Sequence, residues 1–338
     1  MLLIRNGSSG NRVHRLDAHR YCNGGGHRFS PVQAPLVMPE IFIYEIVYTK
    51  PDDSDSDSGF LTLDNSSNER PDWFEYWPIR RLLLNEPLDE ESFYGFLSPK
   101  FKQKTNLSAA AVREFVSRPR GAADVFLFSP TIHLTAYHLN VFSYGDACHP
   151  GLLHVATQFF SRIGQPTNLN ELVTNSDNEV SSNYVVAKPR FWRAWLNVTE
   201  RLFAIAESPT DPLGAELRKM TSYRGRHDVQ MKIFILERIA TWILARDSRF
   251  VVRARNPFVA HSRIYKLPVA IVCDALKIAY VTHYDRAYKD LFKDMFFLVS
   301  KFGKFFGWQI RLGNVFGSKH VRARLTALAS YWTKAGRS

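Results

Sequence analysis

Short runs of β-forming residues alternate along this chain with longer amphipathic stretches. Residues 40–48 are dense in Ile, Phe, Tyr and Val and predict a first strand. Residues 92–98, 124–130 and 183–189 predict three more, the last two stopped by proline, and residues 249–254 a late one. Apolar residues at three-to-four spacing predict helices over 73–84, 108–118, 152–163, 190–207 and 230–246, with Asp72 placed as the N-cap of the first. Residues 266–302 read as mostly helical. Strands alternating with helices of this length predict an α/β fold, a mainly parallel sheet with flanking helices. Ligands of such open sheets bind beyond the carboxyl ends of the strands. The polar segments that follow strands are therefore the places to look: residues 64–80, 98–105 and 131–149, with Asn183 and Lys188 from the fourth strand.

Composition adjusts this picture at both ends. Of 338 residues, 45% are hydrophobic and 14% aromatic, ample for a packed core. No apolar run approaches the roughly 20 residues of a membrane span. The net charge is +12 and uneven: residues 289–338 hold ten Lys/Arg and two acids, 10 − 2 = +8, interleaved with Phe296, Phe297, Phe302, Phe305, Phe306 and Trp308. Such a tail suits an anionic membrane surface. Nucleic acid is suggested by the overall basicity alone and is the weaker partner. Residues 1–37 carry five Arg, three His and one acid, Asp17, with no apolar signal core, and read as a disordered extension or a misassigned start. Residues 38–258 then form the α/β domain and 259–338 a helical basic region. Three cysteines with no metal-binding or disulfide spacing fit a reducing cytoplasm.

Candidate chemistry is concentrated in a few segments. Residues 63–80 pack Asp64, Asn65, Asn68, Arg70, Glu75 and Trp77 behind the first strand, a mix suited to gripping a hydroxyl-rich ligand. Ser98, Lys100 and Lys104 follow the second strand, where cations can neutralise a diphosphate. Asp146 and His149 lie in a Gly- and Pro-punctuated turn. Glu237 falls within the apolar helix 230–246 and is expected to be buried, either as a general base with a raised pKa or as the partner of an arginine. Walker A, Gly-x-Gly-x-x-Gly, Gly-x-Ser-x-Gly and His-Glu-x-x-His patterns are absent. The residues around His133, His138 and Cys148 lack the tight pairs of structural zinc.

Four segments together resemble a known group. They are Leu63-Asp64-Asn65 with Asn68 and Glu75-Tyr76-Trp77; Tyr94-Gly95-Phe96-Leu97-Ser98; Asn183 through Lys188 into Pro189-Arg190-Phe191-Trp192; and Phe234-Ile235-Leu236-Glu237-Arg238. In this order they resemble bacterial capsule and lipopolysaccharide glycosyltransferase-like proteins of GT-A-like fold. The resemblance implies transfer of a sugar from a nucleotide sugar to a glycan or lipid-linked acceptor at the cytoplasmic membrane face. It implies Asp64, Asn65 and Asn68 as donor contacts, Lys100 or Lys104 facing phosphate, Trp77 and Tyr94 shaping the pocket, and Glu237 as base. Arg238, Asn183 and Lys188 accompany them. The family's Asp-x-Asp metal motif does not follow the strand at 124–129, and Asp53-x-Asp55-x-Asp57 sits too early, so a divalent cation (Mn or Mg) is left open. The competing reading is a non-catalytic glycan-binding or scaffold protein of the same fold.

Overall fold

The computed structural model describes residues 39–49, 59–118, 123–180, 182–223, 227–258 and 267–297. The chain divides at Met38, and all described residues belong to the second unit. The readings of residues 1–37, of the acidic run at 52–58 and of the tail beyond 297 concern residues outside the described ones.

The described strands form a six-stranded sheet from β1 (Ile41–Val47), β2 (Leu61–Asp64), β3 (Phe93–Leu97), β4 (Val125–Leu127), β5 (Val185–Ala187) and a late strand, Val252–Ala254. From one edge to the other the order is β2, β1, β3, β5, β4 and the late strand. All neighbours are parallel except β5, which runs antiparallel to both β3 and β4. Every residue of β3, β4 and β5 is buried, as strands covered on both faces require. The approach of β3 to β5 is close: Gly95 pairs with Val186, and a Cβ at 95 would stand 2.7 Å from a Val186 methyl.

Helices cover both faces. Helices α1 (Tyr76–Asn85) and α2 (Phe101–Thr105) follow β2 and β3. On one face α3 (Ala109–Ser117), capped by Ser108, packs Val112 and Val116 against Ile43, Phe126 and Val186. Further along are α4 (Ile132–Thr135), α5 (Val141–Cys148) and α6 (Leu152–Arg162). On the other face α6, α7 (Pro189–Glu207) and the long helix Met231–Arg246 build the larger core. Between these last two lie α8 (Pro212–Arg218) and a hairpin of β6 (Met220–Tyr223) and β7 (His227–Gln230); the long helix is α9 and the late strand β8. From Met231 to Leu244 every residue of α9 is buried except Glu237. Helix α10 (Leu267–His283) rests against α4, and residues 286–297 are also helical.

The structure departs from the sequence reading in four places. The helix expected at 73–84 begins at Tyr76, after a 3-10 turn at Pro71–Trp73. Asp72 does not cap it, because its carboxylate is held by Arg70 at 3.0 Å and by the buried Lys232 at 2.7 Å. Residues 141–148 are helical, because Asn140 accepts from the backbone N–H groups of Phe142 and Ser143 in a capping box. The lysine run at 100–104 is helical as well, and Leu61–Asp64 adds an edge strand.

Candidate functional site

The parallel strands β1, β3 and β4 all end toward one side of the sheet. Because β5 is antiparallel, its leading residues Ser182 and Asn183 arrive on that same side. Two cavities open there, of about 790 Å³ and about 50 Å³. They share Lys104, Ser182 and Glu237. The larger is walled by α2 (Lys100, Gln103, Lys104), by Thr131 and Thr135, by Tyr144, Cys148 and His149 at the end of α5, and by Glu237 and Arg238 of α9. The smaller is lined by Trp73, Phe74, Glu75, Ser98 and Asn183 among others.

Glu237 stands on the divide. Its side chain is 42% exposed, so the expectation of a buried carboxylate is corrected: of the α9 residues from Met231 to Leu244 it is the one that is not buried, and it lines both cavities. Protein packed around it disfavours the charged form and raises its pKa; Arg238 and Lys104 oppose that shift, and Glu75 adds to it. Lys104 donates to Ser182 Oγ at 3.0 Å and lies 5.5 Å from the centre of the Tyr184 ring. The Tyr184 hydroxyl is 2.8 Å from Ser98 Oγ. Arg238 is buried and donates to the carbonyls of Val141 and Phe234, tying α5 to α9. His149 stacks on Phe234 with ring centres 3.6 Å apart.

Backbone strain collects at the same place. Ser182 and Asn183 have φ of 58° and 53°, and Phe74 has φ 47° with ψ −133°. Residues other than glycine rarely adopt positive φ, asparagine tolerating it best and a bulky residue such as Phe74 least; such conformations cost on the order of 1–3 kcal/mol and cluster at functional sites. Asn183 Oδ1 is buried with no hydrogen-bond partner among the described residues.

Of the residues singled out from the sequence, Glu75, Ser98, Lys100, Lys104, His149, Asn183, Glu237 and Arg238 line the two cavities. The others are placed elsewhere. Asp64 is exposed and accepts from Ser66 N, Asn65 is buried at the end of β2, and Asn68 is an exposed turn residue with φ 44°. Arg70 is held by Asp72 and Glu207 in a network that fastens the 70–73 turn to α7 and α9. Trp77 donates to Glu69 and stacks on Phe203 of α7. Tyr94 is a core residue stacked on Phe42, with its hydroxyl accepting from Asp89 N. Asp146 accepts from Gly151 N and Leu153 N at the start of α6. Lys188 lies at the opposite end of the sheet, paired with Glu91 at 3.2 Å, because β5 runs the other way. Phe74, Gln103, Thr131, Tyr144 and Ser182 were not singled out from the sequence. Only the serine run before Asn183, a turn-prone signal, could have flagged Ser182.

Among the described residues no group of three or more His, Cys, Asp or Glu could hold a metal ion; the cations that the described residues bring to the cleft are Lys100, Lys104 and Arg238. No helix among the described residues is long and apolar enough to cross a membrane. No protein-family model matches the chain, and no curated protein and no solved structure matches it.

Proposed function

We propose that this protein is a glycosyltransferase of GT-A-like fold, moving a sugar from a nucleotide-sugar donor to a hydroxyl of a glycan or lipid-linked acceptor. The observation that carries this reading is Glu237: a half-open carboxylate of raised pKa, shared by both cavities, with Lys104 beside it. In the reaction the acceptor oxygen bonds to the anomeric carbon as the bond from that carbon to the diphosphate oxygen breaks. Glu237 takes the acceptor's proton, and Lys100 and Lys104 neutralise the departing nucleoside diphosphate. The cavities' place beyond the carboxyl ends of β1, β3 and β4 supports the same reading. The basic, aromatic composition of residues 289–338 supports an acceptor at the inner membrane face.

The test is thermal denaturation of the full chain against UDP, GDP, CMP and their sugars, with and without Mn²⁺. A native-state ligand raises the midpoint with its concentration. A saturable shift with at least one nucleotide sugar, together with sugar release or transfer, is expected; no shift with any of them refutes the reading. A second reading, a non-catalytic glycan-binding protein, draws on the aromatic and polar lining of the smaller cavity, Trp73, Phe74, Glu75 and Asn183. It predicts binding to free oligosaccharides that survives Glu237→Gln, with no turnover in either protein.

A further inference from the structure

Arg238 is 8% exposed, yet among the described residues no carboxylate lies within hydrogen-bond distance of its guanidinium. Nε donates to Val141 O at 2.9 Å and Nη1 to Phe234 O at 2.5 Å. The nearest carboxylate oxygen, Glu237 Oε2, is 4.0 Å from Nη1. A guanidinium carries five N–H groups. Among the described residues, one on Nη1 and both on Nη2 therefore have no acceptor. Burying a cation costs free energy unless it is paired, and burial here works against the charged form.

The fold nevertheless builds a socket for this group. Gly145 lies against it, and a Cβ there would stand 2.6 Å from Nε and 2.7 Å from Nη2. Arg238 also forms part of the wall of the larger cavity, where, among the described residues, Lys100 and Lys104 are the other cations and Glu237 is the one carboxylate. That wall has an excess of positive charge, and its most buried member meets the Glu237 carboxylate only at 4.0 Å, with no hydrogen bond to it. The planar fork of an arginine matches a carboxylate or a phosphate in two parallel hydrogen bonds, and lysines bind phosphate as point charges; with two lysines in the wall for a diphosphate, the fork is left for a carboxylate.

We propose that Arg238 receives the carboxylate of an acidic sugar, a uronic acid, so that the cleft takes a ligand with two anionic ends: diphosphate at Lys100 and Lys104, carboxylate at Arg238. This rests on the glycosyl-transfer reading for the diphosphate end alone. The test is calorimetric titration of the native full chain with UDP, UDP-glucose, UDP-glucuronate, free glucuronate and inorganic phosphate. UDP-glucuronate is expected to bind about tenfold or more tightly than UDP-glucose, in line with hydrogen bonds to a charged group. Arg238→Lys should remove that difference and leave UDP affinity unchanged. Should that variant fail to fold, Gly145→Ala, which crowds the guanidinium, is expected to narrow the difference in its place. Equal affinity for the two nucleotide sugars, a difference that survives both variants, or phosphate competing as well as glucuronate would overturn the proposal. Binding of free glucuronate without any nucleotide binding would overturn glycosyl transfer and leave the carboxylate site standing. Binding of none of the five would overturn both.

Discussion

Glu237 is polar in a helix whose neighbours from Met231 to Leu244 are all buried, and that contrast was legible in the sequence. What the sequence did not convey is that the position faces a cavity, because helical periodicity gives a side but not what lies opposite it. As a base Glu237 works only when deprotonated. Its raised pKa therefore sets an acid limb in which turnover climbs with pH, with a midpoint above the ordinary glutamate value of about 4.3. Glu237→Gln should lower turnover by about a hundredfold or more, abolish that limb and leave donor affinity within a few-fold. A pH-rate profile of the variant that keeps the limb would assign it to another group. The lysines are equally specific: Lys104→Ala removes a cavity cation and its bond to Ser182, and should weaken UDP binding by about tenfold, measured by titration.

At the scale of elements, α3, α6, α7 and α9 followed from their apolar spacing and β3 is buried throughout, whereas β1, in which only Ile43 and Ile46 are buried, was legible from its β-forming residues. The short elements were not. α5 carries Gly145 in its middle and is started by the side chain of Asn140, so its composition reads as a turn. Segment 64–80 was singled out for its polar density, but most of that density is structural: Arg70, Asp72, Glu207 and Lys232 pair with one another, and Arg80 and Tyr76 hold Glu200. Helix α10 has a titratable fastening of its own. Asp274 accepts from Ser176 N at 2.9 Å, and Lys277 donates to His138 O at 3.0 Å. Burial pushes the Asp274 carboxyl up to about 6, with Lys277 and Ser176 opposing. A raised carboxyl binds its proton more tightly in the folded chain, so folding gains stability as pH falls through about 6 and loses it as pH rises. Asp274→Asn keeps an acceptor for Ser176 and removes the charge. It should stabilise the protein at pH 7.5 by on the order of 1–3 kcal/mol, with the advantage shrinking toward pH 4. Chemical denaturation of both proteins at pH 7.5, 6 and 4.5 checks this; a pH-independent difference would mean that Asp274 does not titrate in that range.

For the whole molecule the decisive fact is the direction of one three-residue strand. The sequence suggested a mainly parallel sheet, which the structure has, but no periodicity encodes strand polarity. Reading β5 as parallel puts Lys188 at the end of the sheet where the cavities open, and its true direction puts Asn183 there instead. The two ends of that strand should therefore answer differently. Lys188→Ala should leave UDP affinity unchanged within about twofold, as expected for a partly exposed ion pair. Asn183→Ala should weaken it by more. Equal effects would place the ligand away from this edge of the sheet.

The paired left-handed residues Ser182 and Asn183, with Phe74 across the smaller cavity, bear on how this protein can change over generations. Glycine reaches those backbone angles without strain, at the price of greater freedom in the unfolded chain. A laboratory population selected for heat resistance alone should thus find glycine at 74, 182 or 183 among its first adaptive substitutions. Each such winner would discard a side chain that lines the cavities, and a lineage also required to keep its ligand should hold all three against that pull.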